Sequence, residues 1–326
     1  MTTTIPQIAA ERISERVASA VAEGLASHPK RLPPWLFYDT AGSELFERIT
    51  ELPEYYLTRT ERAILAKHGD EMIAQAADGR RLRIAELGAG SASKTRLLLG
   101  AAARRQGVVV YEPLDVSMSA LEVARERIER EIPGVEVAPR LVDYAHELDL
   151  EPPDAGERRL VLYIGSSIGN FEPEGAAMLL RRIRTSLELG DGLLLGVDLV
   201  KEDSILRAAY DDGAGDTAAF NRNLLVRLNR ELGAEFDPET FAHRAVWNAA
   251  ESRMEMHLES RVAQRVRVAG LGLVVNFRAG ERIHTESSYK YWPGQAEAML
   301  SAAGFAPVET WMDARGWFAV CLGRAK

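Results

Sequence analysis

Cysteine is almost missing from this 326-residue chain, Cys321 being the only one. A lone thiol excludes a disulfide framework and a thiolate-held metal cluster. Histidine is scarce too: the six (28, 68, 146, 243, 257 and 284) show no paired ligand spacing, so no metal is expected. No apolar run is long enough to cross a bilayer; the stretch 193–200 is among the longest. Lys and Arg form no stripe, and 40 basic against 48 acidic residues leave a net charge of −8, which argues against a nucleic-acid partner. The opening MTTTIPQIAAERISERV has neither the basic start nor the apolar core of a secretory signal. A soluble cytoplasmic monomer is therefore expected, with neither membrane nor nucleic acid as partner. What is present is globular: 46% hydrophobic and 27% charged residues, in a chain long enough to bury a large core.

Ile13, Val17, Val21 and Leu25 recur at helical spacing, and the proline-containing HPKRLPPWLFYD then breaks the helix. The GSELF run at 42–46 and the later TRTERAIL read as short helices around Tyr55 and Tyr56. From residue 82 the pattern alternates. LRIAELGAG, VVVYEPLDVS, VEVAPRLVDY, RRLVLYIGSSIGN and GDGLLLGVDLV read as buried strands separated by helices, which predicts a doubly wound parallel sheet. QAEAMLSAAGF is a helix closed by Gly304, and APVETWMD and GWFAVCLGR form a hairpin through Ala314, Arg315 and Gly316. That ending resembles the sheet of a class I methyltransferase more than a plain dinucleotide-binding fold. The expected architecture is thus α/β: a Rossmann-like, mostly parallel sheet with a C-terminal antiparallel hairpin, plus an inserted α+β second domain. Residues 1–60, 80–200 and 290–326 are assigned to the core. Residues 61–79 and 201–289 are assigned to the insert, which would bind substrate and meet the core at a ligand cleft. The polar ERIHTESSYKY would carry its last strand back to the sheet.

Glycines at 88 and 90 close the first strand and let a ligand approach the backbone. Ser93 stands where a strict dinucleotide fingerprint has glycine, which argues against a nicotinamide oxidoreductase. Glu86 and Asp115, at strand ends, suit polar parts of a cofactor, Asp115 matching a ribose diol or else simply capping the next helix. Asp143 and Tyr144 could hold an adenine or form a turn. Asn170 ends a fourth polar strand exit, GSSIGN, which lacks the elbow of a serine hydrolase. Tyr38, Tyr55, Tyr56 and Tyr210 suit either packing or the surroundings of a cation.

Several long blocks carry a family likeness: PPWLFYDTAGSELFERITELPEYYLTRTE, ELGAGSASKTRLLL, LYIGSSIGNF, LVKEDSILRAAYDD, FNRNLLVRLNRELGAEFD and TESSYK. In order and over nearly the whole chain they resemble the histidine Nα-methyltransferases of ergothioneine biosynthesis. The resemblance implies transfer of three methyl groups from S-adenosylmethionine to the α-amine of L-histidine, giving hercynine, without a metal. By position it implies Gly88, Lys94, Asp115, Asp143 and Tyr144 as cofactor-binding residues. Asn170 and Tyr210 would hold the substrate carboxylate, Glu286 and Ser288 would read the imidazole, and Met256 would wall the pocket. Tyr38 and Tyr55 (or its neighbour Tyr56) would stand at the amine and the reacting methyl. The plainer reading of Glu286 is a surface carboxylate. The rivals are methylation of another amino acid such as tryptophan, and a cofactor-binding regulator without catalysis.

Overall fold

The computed structural model describes residues 5–326, with side chains from Glu15 onward. The side chain of Ile13 and the first four residues lie outside the described residues. Helix α1 (Ile5–Ala26) buries Val17, Val21 and Leu25. A two-residue strand β1 (Lys30–Arg31) and a 3-10 turn (Pro34–Phe37) follow, as the prolines dictate. Helix α2 (Thr40–Glu51) is capped by Asp39, whose carboxylate accepts from Gly42 N–H at 2.7 Å. TRTERAIL is not a short helix. It opens the 22-residue α3 (Tyr56–Ala77), in which no proline interrupts the apolar stripe Ile64, Leu65, Met72, Ile73.

Alternation then runs as β2 (Arg81–Leu87), α4 (Arg96–Gln106), β3 (Val109–Asp115), α5 (Met118–Glu131), β4 (Val135–Val137), β5 (Arg140–Leu141), β6 (Glu157–Tyr163), α6 (Pro173–Thr185) and β7 (Gly192–Asp198). The expected third strand is thus two short pieces, both parallel to β3, parted at Pro139, which has no N–H for the ladder. Next come α7 (Asp203–Tyr210), α8 (Asp216–Leu232), β8 (Phe241–Asn248), β9 (Arg253–Ser260), β10 (Gln264–Val268), β11 (Leu273–Phe277) and β12 (Arg282–Tyr289). FAHRAVWN, unread as a strand because polar residues blur its alternation, is β8. ERIHTESSYKY, expected as a polar return, contains β12, which is buried along most of its length. The chain ends in α9 (Gln295–Ala302), stopped at Gly304 (φ +95°), and the hairpin β13 (Phe305–Met312) and β14 (Phe318–Ala325).

Contacts divide the chain into two units. One holds the described residues up to Tyr56 with Glu202–Ser288; the other holds Leu57–Lys201 with Tyr289–Lys326. The expected boundaries attached residues 1–60 to the sheet and 61–79 to the insert, and the packing runs the other way. β1 pairs in parallel with β12, with Lys30 opposite Ile283, and Lys30 forms an ion pair with Glu281. Asp39 at the head of α2 accepts from Asn223 at 2.8 Å and Arg230 at 2.7 Å on α8. Helix α3, by contrast, buries Ile64, Leu65, Met72 and Ile73 with Leu82, Ile84 and Leu98 of the sheet unit.

The sheet unit carries eight strands in the order β13-β14-β7-β6-β2-β3-β4, with β5 also on β3. Strands β7, β6, β2, β3 and β4 are parallel, while β14 lies antiparallel between β7 and β13. The other unit has a four-stranded sheet, β1-β12-β9-β8, and the ribbon β10-β11. No helix among the described residues is long and apolar enough to cross a membrane.

Candidate active site

Parallel strands end on the same edge, so the exits of β6, β2, β3 and β5 carry Gly165–Asn170, Gly88–Lys94, Asp115 and Asp143–Tyr144 side by side. Gly88 has φ +68°, and a Cβ there would stand 2.9 Å from the Tyr144 hydroxyl; only glycine leaves that space. The Tyr144 ring meets Tyr163 edge-on, with centroids 5.9 Å apart. Asp143 accepts from Ala145 N–H at 3.1 Å and pairs with His146 at 3.3 Å. Asn170 ends the 3-10 turn after β6.

Asp115 is only 9% exposed, and burial pushes its pKa up against the pull of backbone amides. It accepts from Ser117 N–H at 2.9 Å and Gly90 N–H at 3.1 Å. Those two bonds leave acceptor capacity for donors such as ligand hydroxyls. The helix cap is Ser117 itself, which accepts from Ala120 N–H, so the plain capping reading of Asp115 does not hold.

Glu86 is fully enclosed, accepting from Thr95 Oγ1 at 2.6 Å and from the Tyr111 hydroxyl. Burial pushes its carboxyl from 4.5 up to about 7, against the pull of those two bonds. Because the folded pKa lies above the unfolded one, its stabilising contribution is complete below about pH 4.5 and is lost as the pH rises through 7. The loss amounts to about 3 kcal/mol. Glu86→Gln should therefore match the ligand-free wild type at pH 5 and melt at a higher temperature at pH 8. Melting curves that stay parallel across that range would refute the assignment.

In the other unit the four tyrosines separate. Tyr38 packs edge-on against Phe46 and Phe220, with centroids at 5.7 and 5.8 Å. Phe46 meets Tyr55 at 6.1 Å, and Tyr55 meets Tyr210 at 6.5 Å. Tyr38, Tyr55 and Tyr210 thus belong to one aromatic cluster, while Tyr56 is buried as the first residue of α3. Tyr210 donates to Ser288 Oγ at 2.8 Å. Glu286 is 8% exposed, which excludes the surface-carboxylate reading. Met256 is buried on β9, and its carbonyl accepts from Thr285 at 2.9 Å. On β12, Ser287 Oγ lies 3.2 Å from His284 Nε2.

Two groups escaped sequence reading. His243 is buried, its Nδ1 accepting from the Asn221 amide at 2.9 Å and its Nε2–H donating to the Tyr210 carbonyl at 2.8 Å. Burial lowers its pKa, in keeping with that neutral tautomer. Phe46 and Phe220 hold the tyrosines together. Nothing in spacing distinguishes either group from ordinary core residues; only the fold brings them to Tyr210.

The parallel strand-end edge and the antiparallel β14 between β7 and β13 define a class I methyltransferase. The family model for the histidine-specific, S-adenosylmethionine-dependent methyltransferases matches residues 17–325, and the chain belongs to that family. It is 45% identical over 315 residues to a histidine N-alpha-methyltransferase of Mycolicibacterium smegmatis, covering 97% of each chain. The same enzyme of Mycobacterium tuberculosis is 45% identical over 302 residues, 93% of this chain and 92% of that one. Ergothioneine biosynthesis protein 1 of Neurospora crassa is 32% identical over 87% of this chain, which spans 32% of that protein.

Proposed function

We propose that the protein trimethylates the α-amine of L-histidine to hercynine, the first step of ergothioneine synthesis. The carrying observation is Glu286, a carboxylate withdrawn from solvent on β12 close to Ser288, which is itself bonded to Tyr210. A carboxylate facing an imidazole N–H makes a charge-assisted hydrogen bond, the kind that selects one side chain over others. Met256 supplies the apolar wall, and Asn170 and Tyr210 take the substrate carboxylate. The sheet unit suits the methyl donor: Asp115 can take a diol, and Gly88 keeps the backbone open beside Tyr144 and Asp143. Lys94 completes that set.

S-adenosylmethionine supplies a methyl carbon activated by its sulfonium. The chain's part is to hold the amine in line with that carbon, and orientation alone contributes several kcal/mol. An α-amine has a pKa of about 8, so a proton has to leave before the first transfer. Tyr38 and Tyr55 border the amine in this reading, and the Tyr38 hydroxyl, directly or through water, carries the proton away. Before each of the three transfers the nitrogen loses one proton; each transfer then forms an N–C bond and leaves the C–S electron pair on sulfur, and the third leaves no N–H. The fixed cation that results lies well against tyrosine faces. Mass spectrometry of L-histidine, tryptophan and other amino acids incubated with enzyme and donor tests the reading. Mono-, di- and trimethyl products from histidine alone are expected; methylation of tryptophan instead would overturn the pocket assignment.

A further inference from the structure

Glu61 lies near the start of α3, in the TRTE run that the proposed function leaves without a role. Its side chain is fully buried in the sheet unit, an expensive place for a carboxylate unless it is paired. Oε1 accepts from Gly165 N–H at 2.8 Å, and Oε2 forms an ion pair with Lys94 Nζ. Room for it depends on a glycine: a Cβ on Gly196 of β7 would collide with Glu61 Oε1 and stand 3.2 Å from Ile164 Cα. Gly165 has φ +83°, and a Cβ there would come 3.1 Å from Lys94 Nζ. One buried carboxylate thus ties the loop after β2, which carries Lys94, to the loop after β6, which carries Asn170.

Strand order says what this junction faces. β6, β2 and β3 are neighbours, with β5 also on β3. With ribose on Asp115 at the end of β3 and adenine by Asp143 and Tyr144 after β5, the rest of the donor runs over β2 toward β6. That is where Lys94 and Gly165 stand. We propose that Glu61 is the positioning residue for the amino-acid end of the methyl donor. It holds the Lys94 ammonium in one orientation for the donor's carboxylate and fixes the Gly165 amide beside it. This rests on the function proposed above. A glutamine at 61 keeps an acceptor for Gly165 but withdraws the charge that orients Lys94.

Calorimetric titration with S-adenosylhomocysteine and 5′-methylthioadenosine, which share the adenosine thioether but differ in the amino-acid end, separates the possibilities. Glu61→Gln should weaken S-adenosylhomocysteine by about tenfold or more and 5′-methylthioadenosine by less than about twofold. Equal losses for both ligands would mean that Glu61 is merely structural, and no loss for either would mean that it positions nothing; both overturn the proposal. If Glu61→Gln fails to fold, Glu61→Asp keeps the charge but cannot span Lys94 and Gly165. A smaller loss with the same ligand pattern is then expected, and unchanged affinity overturns the proposal. Wild type that binds neither ligand would instead overturn the function on which it rests.

Discussion

Replacing Glu286 by alanine is expected to lower kcat/KM for L-histidine by about 100-fold, the value of a hydrogen bond to a charged group. The carboxylate is buried on β12, beside the Ser288–Tyr210 pair, so in the proposed function its loss leaves an imidazole N–H without an acceptor. The residues proposed for the donor lie on other strands, at the ends of β2, β3 and β5, so the Kd for S-adenosylmethionine should stay within about twofold. Glu286→Gln should fall between the two, because an amide oxygen still accepts but without charge. Steady-state kinetics with histidine and direct titration with the donor read these quantities separately. Donor affinity that falls in step with histidine turnover would show that Glu286 supports the fold and reads no substrate.

The second large effect is on stability. The side chains of Asp198, at the end of β7, and of Lys290 have no exposed surface. Lys290 Nζ lies 2.9 Å from Oδ2, and the buried Lys201 Nζ lies 2.5 Å from Oδ1. The chain leaves the sheet unit after Lys201 and re-enters it at Tyr289. Here the two passages run paired, Val200 N–H donating to the Tyr291 carbonyl at 3.0 Å and Tyr291 N–H to that of Asp198 at 2.9 Å. Asp198→Asn leaves two buried ammonium groups without their counter-charge, a loss of about 3–5 kcal/mol, or about 10 °C in Tm. Burial already lowers the pKa of Lys201 to about 8, against the attraction of Asp198 and with Lys290 adding repulsion. With the folded pKa below the unfolded one, the unfolded state binds more protons between them, so stability rises with pH across that window. Without Asp198 the lysine pKa drops further and the window widens downward, so the deficit should shrink at about pH 9.5. Thermal melts of wild type and variant at both pH values check this. A Tm within about 2 °C of wild type at pH 7 would mean that the two lysines find other partners.

Much of the sheet unit was legible because its information is local. A buried parallel strand is a short apolar run, an exit loop advertises glycine, and a helix between strands shows its period over a dozen residues. Gly88, Asp115 and Asn170 thus follow strand-like runs in the sequence itself and stand at strand ends in the fold. The other unit was less open. β8 and β12 bury His243, Thr285, Glu286 and Ser288, and the side chains of His243, Thr285 and Ser288 bond to residues far along the chain, so neither sequence shows the alternation of a half-buried strand. The same holds for the boundaries: two residues of β1 suffice to pair residues 30 and 31 with β12, too short a signal to compete with neighbourhood in the chain.

By itself, then, the sequence determined the alternating sheet, its antiparallel ending, the strand-end positions that suit a nucleoside-bearing ligand, and the family to which the blocks point. Tertiary structure alone decided that residues up to Tyr56 pack with 202–288 while α3 joins the sheet, and that Tyr38, Tyr55 and Tyr210 share one cluster through Phe46 and Phe220. It alone also decided that Asp198 takes two lysines and Glu61 one. The physical reason is range. Periodicity and turn chemistry act between residues a few positions apart, whereas a buried charge takes its meaning from the partner that folding brings to it from far along the chain.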